Sequence, residues 1–238
     1  MNLSQPTGGL EAINLRKSYG STVALDDLNF SVSGGEVYCL LGQNGAGKTT
    51  TINIFLGLLG ATSGQALVNG ESVAGAGVVP RAIAYIPEVV QLYGNLSGTE
   101  NLDFFSQLAG QKHSREKLRQ YLFDVGLPES AVGRPLSTYS KGMRQKVGIA
   151  IALSKQASFI LMDEPTSGLD PKATEEFTEL CRALAAEGTG IFMATHDIFN
   201  AVNIGSRVGI MRAGRIVHES NTTDVTPQEL QQLYLKTI

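Results

Sequence analysis

Short apolar runs separated by helix-like segments set the pattern of the chain from residue 37 onwards. Residues 37–41 form a continuous apolar run that ends at Gly42, and residues 159–162 and 191–194 repeat it. Runs of this length are typical of strands buried on both faces of a parallel sheet. Residues 172–186 follow Pro171 and stop before Gly188, as a helix would. This alternation predicts an α/β fold.

The N-terminal part of the chain has a different pattern. Residues 10–15, 22–32 and 65–68 are separated by Gly, Ser, Asn and Asp, which predicts antiparallel strands. We therefore expect a mixed, mainly parallel sheet with an antiparallel β edge. Near the other end, residues 207–211 and 215–218 flank Ala213-Gly214 and predict a hairpin.

The middle of the chain lacks buried-strand runs and carries helical spacings such as Leu102, Phe105 and Leu108. We interpret residues 92–153 as a helical lobe inserted into an α/β core made of residues 1–91 and 154–220. Residues 221–238 complete this single domain as a tail with a short helix at 227–235.

Composition and net charge indicate which kinds of partner and which compartment suit the chain. The 238 residues contain 19 Lys plus Arg and 22 Asp plus Glu, and this balance of −3 argues against a nucleic-acid partner. Two cysteines are too few for a disulfide framework, so we expect a reducing compartment. Residues 1–9 do not resemble a secretory signal, and no apolar stretch is long enough to span a bilayer. We expect a cytoplasmic protein whose membrane-crossing partner, if any, is a separate chain.

A phosphate-binding loop is the strongest motif. Its eight residues match G-x-x-x-x-G-K-[ST] between a predicted strand and the helix-like residues 50–58. Glycines let successive backbone N–H groups point at phosphate oxygens, and the following helix adds its positive dipole end. We expect Lys48 to neutralise the β/γ-phosphates and Thr49 to ligate Mg²⁺. The nucleotide-contacting residues of this stretch are Gly42, Gln43, Asn44, Gly45, Ala46, Gly47, Lys48, Thr49 and Thr50.

A pair of carboxylates follows the second apolar run. Asp163 and Glu164 stand at the carboxyl end of a predicted buried strand, where ligands bind in open α/β sheets. We expect Asp163 to hold Mg²⁺, through water or directly, and Glu164 to act as the general base on the attacking water. Such a pair alone is more often a helix-start turn, but the phosphate loop favours the catalytic interpretation.

With these motifs the chain resembles the ATPase subunits of ABC transporters over nearly its whole length. Residues 136–145, which read LSTYSKGMRQ, resemble the family's signature motif, and residues 167–170 resemble the loop after the catalytic Glu that crosses to the partner subunit. Residues 195–197 resemble the switch-histidine region. Taken singly, Ser140 would be a helix cap, His196 a strand-end histidine and Tyr19 a packing residue. Their order and spacing favour the resemblance.

The resemblance implies a division of labour between two subunits. It places Tyr19 against the adenine of the subunit's own ATP, together with the phosphate loop. It places Ser140 and Gly142 on the γ-phosphate bound by the other subunit, and Asp170 on the loop that crosses to that subunit. His196 would hydrogen-bond the γ-phosphate or orient the water. ATP with Mg²⁺ would therefore join two ATPase subunits, either identical or closely related.

Two motifs depart from the commonest family pattern. The signature has Tyr139, Lys141 and Met143 where Leu, Gly and Gln are usual, and this form resembles the ATPases of type-two ABC exporters. The lid loop has Glu88 where Gln is usual, and we expect Glu88 to reach the Mg²⁺ when the site closes. The implied function is a motor that drives a separate membrane permease from the inner face of the membrane. The alternative is a soluble ABC ATPase without a permease, acting in assembly or repair.

Overall fold

Two β-sheets and the helices around them make up the protein, for which a computed structural model describes residues 8–73 and 80–237. Segment 1–7, for which we expect no secretory signal, and residue 238 of the predicted tail lie outside the described residues. The strands are β1 (Gly9–Tyr19), β2 (Thr22–Ser33), β3 (Val37–Gly42), β4 (Ser63–Val68), β5 (Glu71–Ser72), β6 (Ile83–Ile86), β7 (Phe159–Asp163), β8 (Gly190–Thr195), β9 (Arg207–Arg212) and β10 (Arg215–Asn221). The helices are α1 (Lys48–Phe55), α2 (Gly98–Leu108), α3 (Arg115–Asp124), α4 (Glu129–Val132), α5 (Lys141–Ser154), α6 (Pro171–Ala186), α7 (Ile198–Ile204) and α8 (Pro227–Thr237).

Among the described residues, the larger sheet has the order β10-β9-β3-β8-β7-β6, with the β9–β10 pair antiparallel and the other pairs parallel. Every residue of β3 and of β8 is buried, as expected for central strands covered on both faces. The predicted apolar runs are therefore confirmed as the centre of a parallel sheet. Because parallel strands end at the same edge, the segments after β3, β7 and β8 meet there.

The N-terminal strands pair with one another in a second sheet of order β2-β1-β4-β5. In β2 buried and exposed positions alternate, so one face of this sheet is apolar and the other faces solvent. The apolar face packs on the parallel sheet: the Phe30 ring stacks at 5.7 Å on Tyr38 and at 5.2 Å on Phe192. The predicted antiparallel strands are confirmed, but they form a second sheet and not an edge of the parallel one, because their apolar face is buried by packing on the face of that sheet.

The predicted hairpin near the C-terminus is also confirmed. Strands β9 and β10 pair antiparallel, with Arg212 opposite Arg215. The two residues between them, Ala213 and Gly214, have positive φ of 48° and 79°. Positive φ at both central residues is the conformation that suits a two-residue hairpin, because its twist matches that of the strands.

Helices α2 to α5 occupy most of the segment predicted as a helical lobe. Helix α2 begins with a capping box, in which the Ser97 hydroxyl accepts from the Glu100 N–H and the Glu100 carboxylate accepts from the Ser97 N–H. Leu102, Leu118 and Leu122 are buried in the same cluster as residues of α6 and of the parallel sheet. This packing fixes the start of α5 relative to the loop after β7. No helix in the described residues is both long and apolar enough to cross a membrane.

Candidate functional site

The phosphate loop curls between the end of β3 and the start of α1. Gly45 and Gly47 have φ of 83° and 117°, which L side chains rarely adopt. A Cβ on Gly47 would also lie 2.7 Å from the carbonyl oxygen of Ala24, so only glycine fits there. Helix α1 starts at Lys48, two residues earlier than the sequence pattern predicts, and it ends at Phe55. Its N-terminus therefore opens directly onto the loop.

A cavity of about 360 Å³ lies beside this loop. It is bounded by loop residues, by the two carboxylates at the end of β7, and by one residue each from β2 and the segment after β6. The lining residues are Ala24, Gln43, Asn44, Gly45, Gly47, Lys48, Thr49, Thr50, Glu88, Asp163 and Glu164. The structure thus brings most of the predicted nucleotide and metal residues together. Gly42 and Ala46 stabilise the conformation of the loop through hydrogen bonds of their backbone. The Gly42 carbonyl accepts from Lys48, and the Ala46 N–H donates to the Gln43 carbonyl at 3.1 Å.

Lys48 is the cation of the cavity. Its side chain is only 6% exposed, its Nζ donates to the Gly42 carbonyl at 2.6 Å, and it lies 3.8 Å from Oε1 of Glu164. Burial lowers the pKa of Lys48, while the charges of Glu164 and Asp163 act in the opposite direction. The carboxylates therefore help to keep a desolvated ammonium charged where phosphate oxygens would bind.

Thr49 and Asp163 form the pair that fits a divalent cation. The Thr49 hydroxyl donates to Oδ2 of Asp163 at 3.0 Å. Burial and the Glu164 charge raise the pKa of Asp163, and the Thr49 hydrogen bond lowers it. Among the described residues there is no cluster of three His, Cys, Asp or Glu side chains able to cage a metal. One hydroxyl and one carboxylate suit Mg²⁺, which completes its shell with phosphate oxygens and water.

Glu164 is held in an unusual backbone conformation at the end of β7. Its φ is 45°, a left-handed value that costs a non-glycine residue about 1–3 kcal/mol. The Thr195 hydroxyl and the His196 N–H donate to its Oε2 at 3.2 and 3.3 Å. Nδ1 of His196 lies 2.9 Å from the same oxygen. Thr195 ends β8 and His196 follows it, and β8 lies beside β7. These donors hold Oε2 of Glu164, while Oε1 faces Lys48 in the cavity.

A second cavity, of about 60 Å³, lies at the start of α5. Its lining residues are Ser140, Gly142, Met143, Lys146, Leu169, Ala173, Glu176 and Phe177. Ser140 caps α5, because its hydroxyl accepts from the Met143 N–H at 3.2 Å. A Cβ on Gly142 would lie 3.3 Å from Cβ of Ala173 in α6. In the part of the chain that the structure describes, this cavity shares no lining residue with the first.

Comparison with known proteins decides the family. A family described as "ABC transporter" matches residues 25–167, which is more than half of the chain. The chain belongs to the ABC transporter family. It is 37% identical over 212 residues to the bacitracin transport ATP-binding protein BcrA of Bacillus licheniformis, covering 88% of this chain and 69% of that protein. It is 35% identical over 225 residues to the daunorubicin/doxorubicin resistance ATP-binding protein DrrA of Streptomyces peucetius, covering 93% and 68%.

Solved structures agree on the fold of an ABC transporter ATP-binding cassette. One described as an ATP binding subunit of an ABC transporter has a TM-score of 0.82 at 32% identity and covers 95% of this chain and 98% of that chain. The ADP conformation of another ATP-binding cassette has a TM-score of 0.83 at 23% identity, covering 96% and 95%. The phosphate-loop α/β fold class expected from the sequence is therefore confirmed.

Tyr19 and Asp170, two further residues of the ABC pattern, also lie apart from the first cavity. Tyr19, at the end of β1, is 48% exposed with Nζ of Lys17 5.0 Å from its ring centre, and it is outside the set of described residues that line the cavity. Asp170 caps α6, because its Oδ1 accepts from the Ala173 N–H at 2.9 Å. Stacking of adenine on Tyr19 and a nucleotide contact by Asp170 stay predictions.

Several residues near the ABC site were not assigned roles from the sequence. Thr195 orients Glu164, yet a threonine at a strand end carries no distinguishing signal. Burial and the charge of Glu164 raise the pKa of Tyr234 in α8. Ser167 accepts from Lys141 and donates to Glu88. Ser167 and Lys141 stand inside recognised motifs, and that position is the one sequence signal that could have marked them.

Proposed function

We propose that the chain is the ATP-hydrolysing subunit of an exporter, working in a dimer that encloses two ATP molecules and drives a permease on a separate chain. The observation that carries this proposal is the orientation of Glu164 towards a cavity that also contains Lys48, Asp163 and the phosphate loop. The export direction is supported by relatives named for bacitracin transport and daunorubicin/doxorubicin resistance, and by the type-two form of the signature motif.

The phosphate loop binds the triphosphate. Backbone N–H groups of the loop at the N-terminus of α1, where the helix dipole is positive, would bind the phosphate oxygens. Lys48 exchanges its contact with the Gly42 carbonyl for the β/γ-phosphates. Thr49 and Asp163 would hold Mg²⁺, and the ion would offset the negative charge that develops on the phosphate oxygens.

Glu164 acts as the general base. It accepts a proton from the attacking water on its carboxylate while that water adds in line to the γ-phosphorus. Thr195 and the His196 N–H hold Oε2, so the carboxylate keeps one orientation. The His196 ring is 63% exposed, which leaves it free to contact a γ-phosphate or the water from the solvent side.

The second cavity supplies the other half of a composite site. Ser140 and the first N–H groups of α5 contact the γ-phosphate held by the partner subunit, and Gly142 lets that phosphate approach the backbone. The exposed position of Ser140 and the separation of the two cavities support this arrangement. ATP thus joins two subunits and hydrolysis releases them. The dimer is peripheral to the inner face of the membrane through its permease.

Substitution of Glu164 by Gln tests the proposal. The amide keeps the size of the side chain but cannot accept the proton of the water, so we expect ATP binding to persist and turnover to fall below a hundredth of wild type. The variant should elute as a dimer with Mg-ATP on a sizing column. Hydrolysis near the wild-type rate, or a monomer at saturating ATP, would overturn the assignment. Glu179→Gln, which changes an exposed carboxylate of α6 that is not among the described residues lining either cavity, is the matched control.

A further inference from the structure

Ser167 connects two segments that are distant in the chain. Its carbonyl oxygen accepts a hydrogen bond from Nζ of Lys141 at 2.5 Å, across 26 residues. Its hydroxyl donates to Oε1 of Glu88 at 2.9 Å, across 79 residues. One residue of the β7–α6 loop is therefore bonded both to the N-terminus of α5 and to the segment that follows β6.

The loop that carries Ser167 is fixed to the catalytic carboxylate. Ser167 N–H donates to the Glu164 carbonyl at 3.1 Å, which closes a turn over the strained residue. Leu169 N–H donates to the Thr166 carbonyl at 3.1 Å, and the Thr166 hydroxyl accepts from the buried side-chain amide of Asn200 at 3.1 Å. A displacement of Ser167 must therefore also displace the backbone of Glu164.

The two partners of Ser167, Lys141 and Glu88, are two of the four departures from the commonest ABC pattern. A glycine at position 141 would have no side chain to reach the Ser167 carbonyl. Lysine can only donate and an ionised carboxylate can only accept, so the direction of both hydrogen bonds is fixed. A glutamine at position 88 could present either its oxygen or its NH₂ group to the hydroxyl, and the direction would not be fixed. Lys141 and Glu88 therefore bind Ser167 together, one as a fixed donor and the other as a fixed acceptor.

The two hydrogen bonds of Ser167 connect a residue at the first cavity with a residue next to the second. Glu88 lines the first cavity together with Lys48 and Asp163. Lys141 follows Ser140, which lines the second cavity. Under the proposed function these cavities belong to the sites of two different nucleotides. Ser167 lies between them and is not among the described residues that line either one.

We propose that Ser167 is a positioning residue that joins Glu88 to Lys141, so that each subunit transmits the state of its own nucleotide site to the half-site it offers its partner. The transmission has two links, one through the hydroxyl and one through the carbonyl. The role of the two cavities rests on the proposed function, whereas the mechanical link rests on the contacts of Ser167 alone. The two parts can therefore be tested separately.

Amide hydrogen exchange of the nucleotide-free full chain tests the mechanical link. Ser167→Ala removes the bond to Glu88 and keeps the carbonyl that accepts from Lys141. We expect it to increase exchange of the Met143 and Arg144 amides, in the first turn of α5, about two- to tenfold, the range that one hydrogen bond contributes. Ser167→Thr keeps the hydroxyl and should restore wild-type exchange. Unchanged exchange in Ser167→Ala would overturn the link, whether or not the protein hydrolyses ATP.

Steady-state ATP hydrolysis tests whether the link through Ser167 affects turnover. Lys141→Met and Ser167→Ala each break one link, so we expect either to lower kcat about two- to tenfold with KM for ATP unchanged. The double variant should be no slower than the slower single variant, because one broken link already interrupts the chain. Lys141→Arg, which keeps a donor, should restore the rate. Lys172→Met, which removes an 87% exposed lysine on α6, is the matched control.

The outcomes separate the two proposals. If Glu164→Gln abolishes hydrolysis and the effects of Lys141→Met and Ser167→Ala multiply, the proposed function stands and transmission through Ser167 is wrong. A KM change equal to the kcat change would likewise place these residues in nucleotide binding and overturn a positioning role. If Glu164→Gln hydrolyses at the wild-type rate, the proposed function fails, and hydrogen exchange alone decides the link.

Discussion

Oε2 of Glu164 lies 2.9 Å from Nδ1 of His196 in a site where two further donors, the Thr195 hydroxyl and the His196 N–H, reach the same oxygen. Three groups from the end of β8 thus converge on one carboxylate oxygen. The other oxygen, Oε1, lies 3.8 Å from Nζ of Lys48. Glu164 is therefore oriented from one side by β8 and attracted from the other by the phosphate-loop lysine.

Removal of the His196 ring should slow hydrolysis without preventing nucleotide binding. In His196→Ala the backbone N–H and Thr195 still hold Glu164, but the ring that we propose contacts a γ-phosphate or the water is lost. We expect kcat to fall roughly a hundredfold, as for loss of one preorganised donor, and the dissociation constant for ATP to stay within about twofold. Single-turnover hydrolysis and equilibrium binding measure the two effects. His218→Ala, a histidine of β10, should be silent, and a large loss of affinity in His196→Ala would contradict this role.

Lys48→Ala and Ser140→Arg should separate the two half-sites. Lys48→Ala removes a buried cation from the β/γ-phosphates, so we expect most nucleotide affinity to be lost. Ser140→Arg changes an exposed residue of the second cavity. It should leave ATP binding by the single subunit intact and prevent the ATP-dependent dimer.

Calorimetric titration at low protein concentration and sizing columns at high concentration distinguish these outcomes. Ser140→Thr, which keeps the hydroxyl that caps α5, serves as the control for the integrity of that helix. If both Lys48→Ala and Ser140→Arg weaken binding equally in the monomer, the idea of two half-sites is wrong.

The centre of the fold could be predicted because its signal is local. Strands β3, β7 and β8 are unbroken apolar runs, and burial on both faces explains why. Strand β6 was not predicted, since it has four residues and half-exposed Tyr85 interrupts its apolar character at the sheet edge. The position of β3 between β8 and β9 was also not accessible, because strand order depends on crossovers that residue patterns do not encode.

The candidate site, too, could be predicted only where its signal comes from adjacent residues. The phosphate loop follows from adjacent residues, so its geometry could be expected from the motif alone. The contacts of Glu164 with Thr195 and of Ser167 with Lys141 join residues that are 31 and 26 positions apart. Such contacts depend on strand register and on the direction of single side chains, and no periodicity marks them.

The buried cysteines should make stability depend on alkaline pH. Burial raises the pKa of the Cys39 thiol from about 9 to about 12, and burial also raises the pKa of Cys181. Since the folded state holds these protons more tightly, their contribution is complete below pH 9 and is lost as the pH rises towards 12. The free energy of unfolding, measured with urea, should therefore fall between pH 9 and 10.5.

A variant with Cys39→Ala and Cys181→Ala isolates this effect from that of Tyr38, whose pKa burial also raises. Its unfolding free energy should be lower at pH 8, because two buried groups are truncated, but should fall less between pH 9 and 10.5. In the wild type, a thiol reagent at pH 8 should react only as fast as the protein opens. Rapid reaction of the native protein would contradict the burial on which the prediction depends.

Glu88 should make activity depend more steeply on Mg²⁺. Its carboxylate lines the cavity that contains Asp163, and its charge contributes to raising the pKa of that residue. Without metal, a further negative charge beside Asp163, Glu164 and a triphosphate is repelled. If Glu88 reaches the bound Mg²⁺, as we expect, its carboxylate would be a stronger ligand than an amide, because a hard cation prefers charged oxygen. Glu88→Gln should therefore reduce the dependence on Mg²⁺.

Two titrations test this role of Glu88, and the amide variant suits them because its oxygen can still accept from Ser167. The ATPase rate against Mg²⁺ should rise less steeply in Glu88→Gln, since the closed site loses one charged ligand. ATP binding in the presence of a chelator should be equal or tighter, since one repulsive charge is removed. Glu129→Gln, with an 80% exposed side chain in the helical region, controls for net charge. Superimposable Mg²⁺ curves for Glu88→Gln and wild type would remove Glu88 from the metal site, because a ligand of Mg²⁺ cannot lose its charge without changing the affinity for the ion.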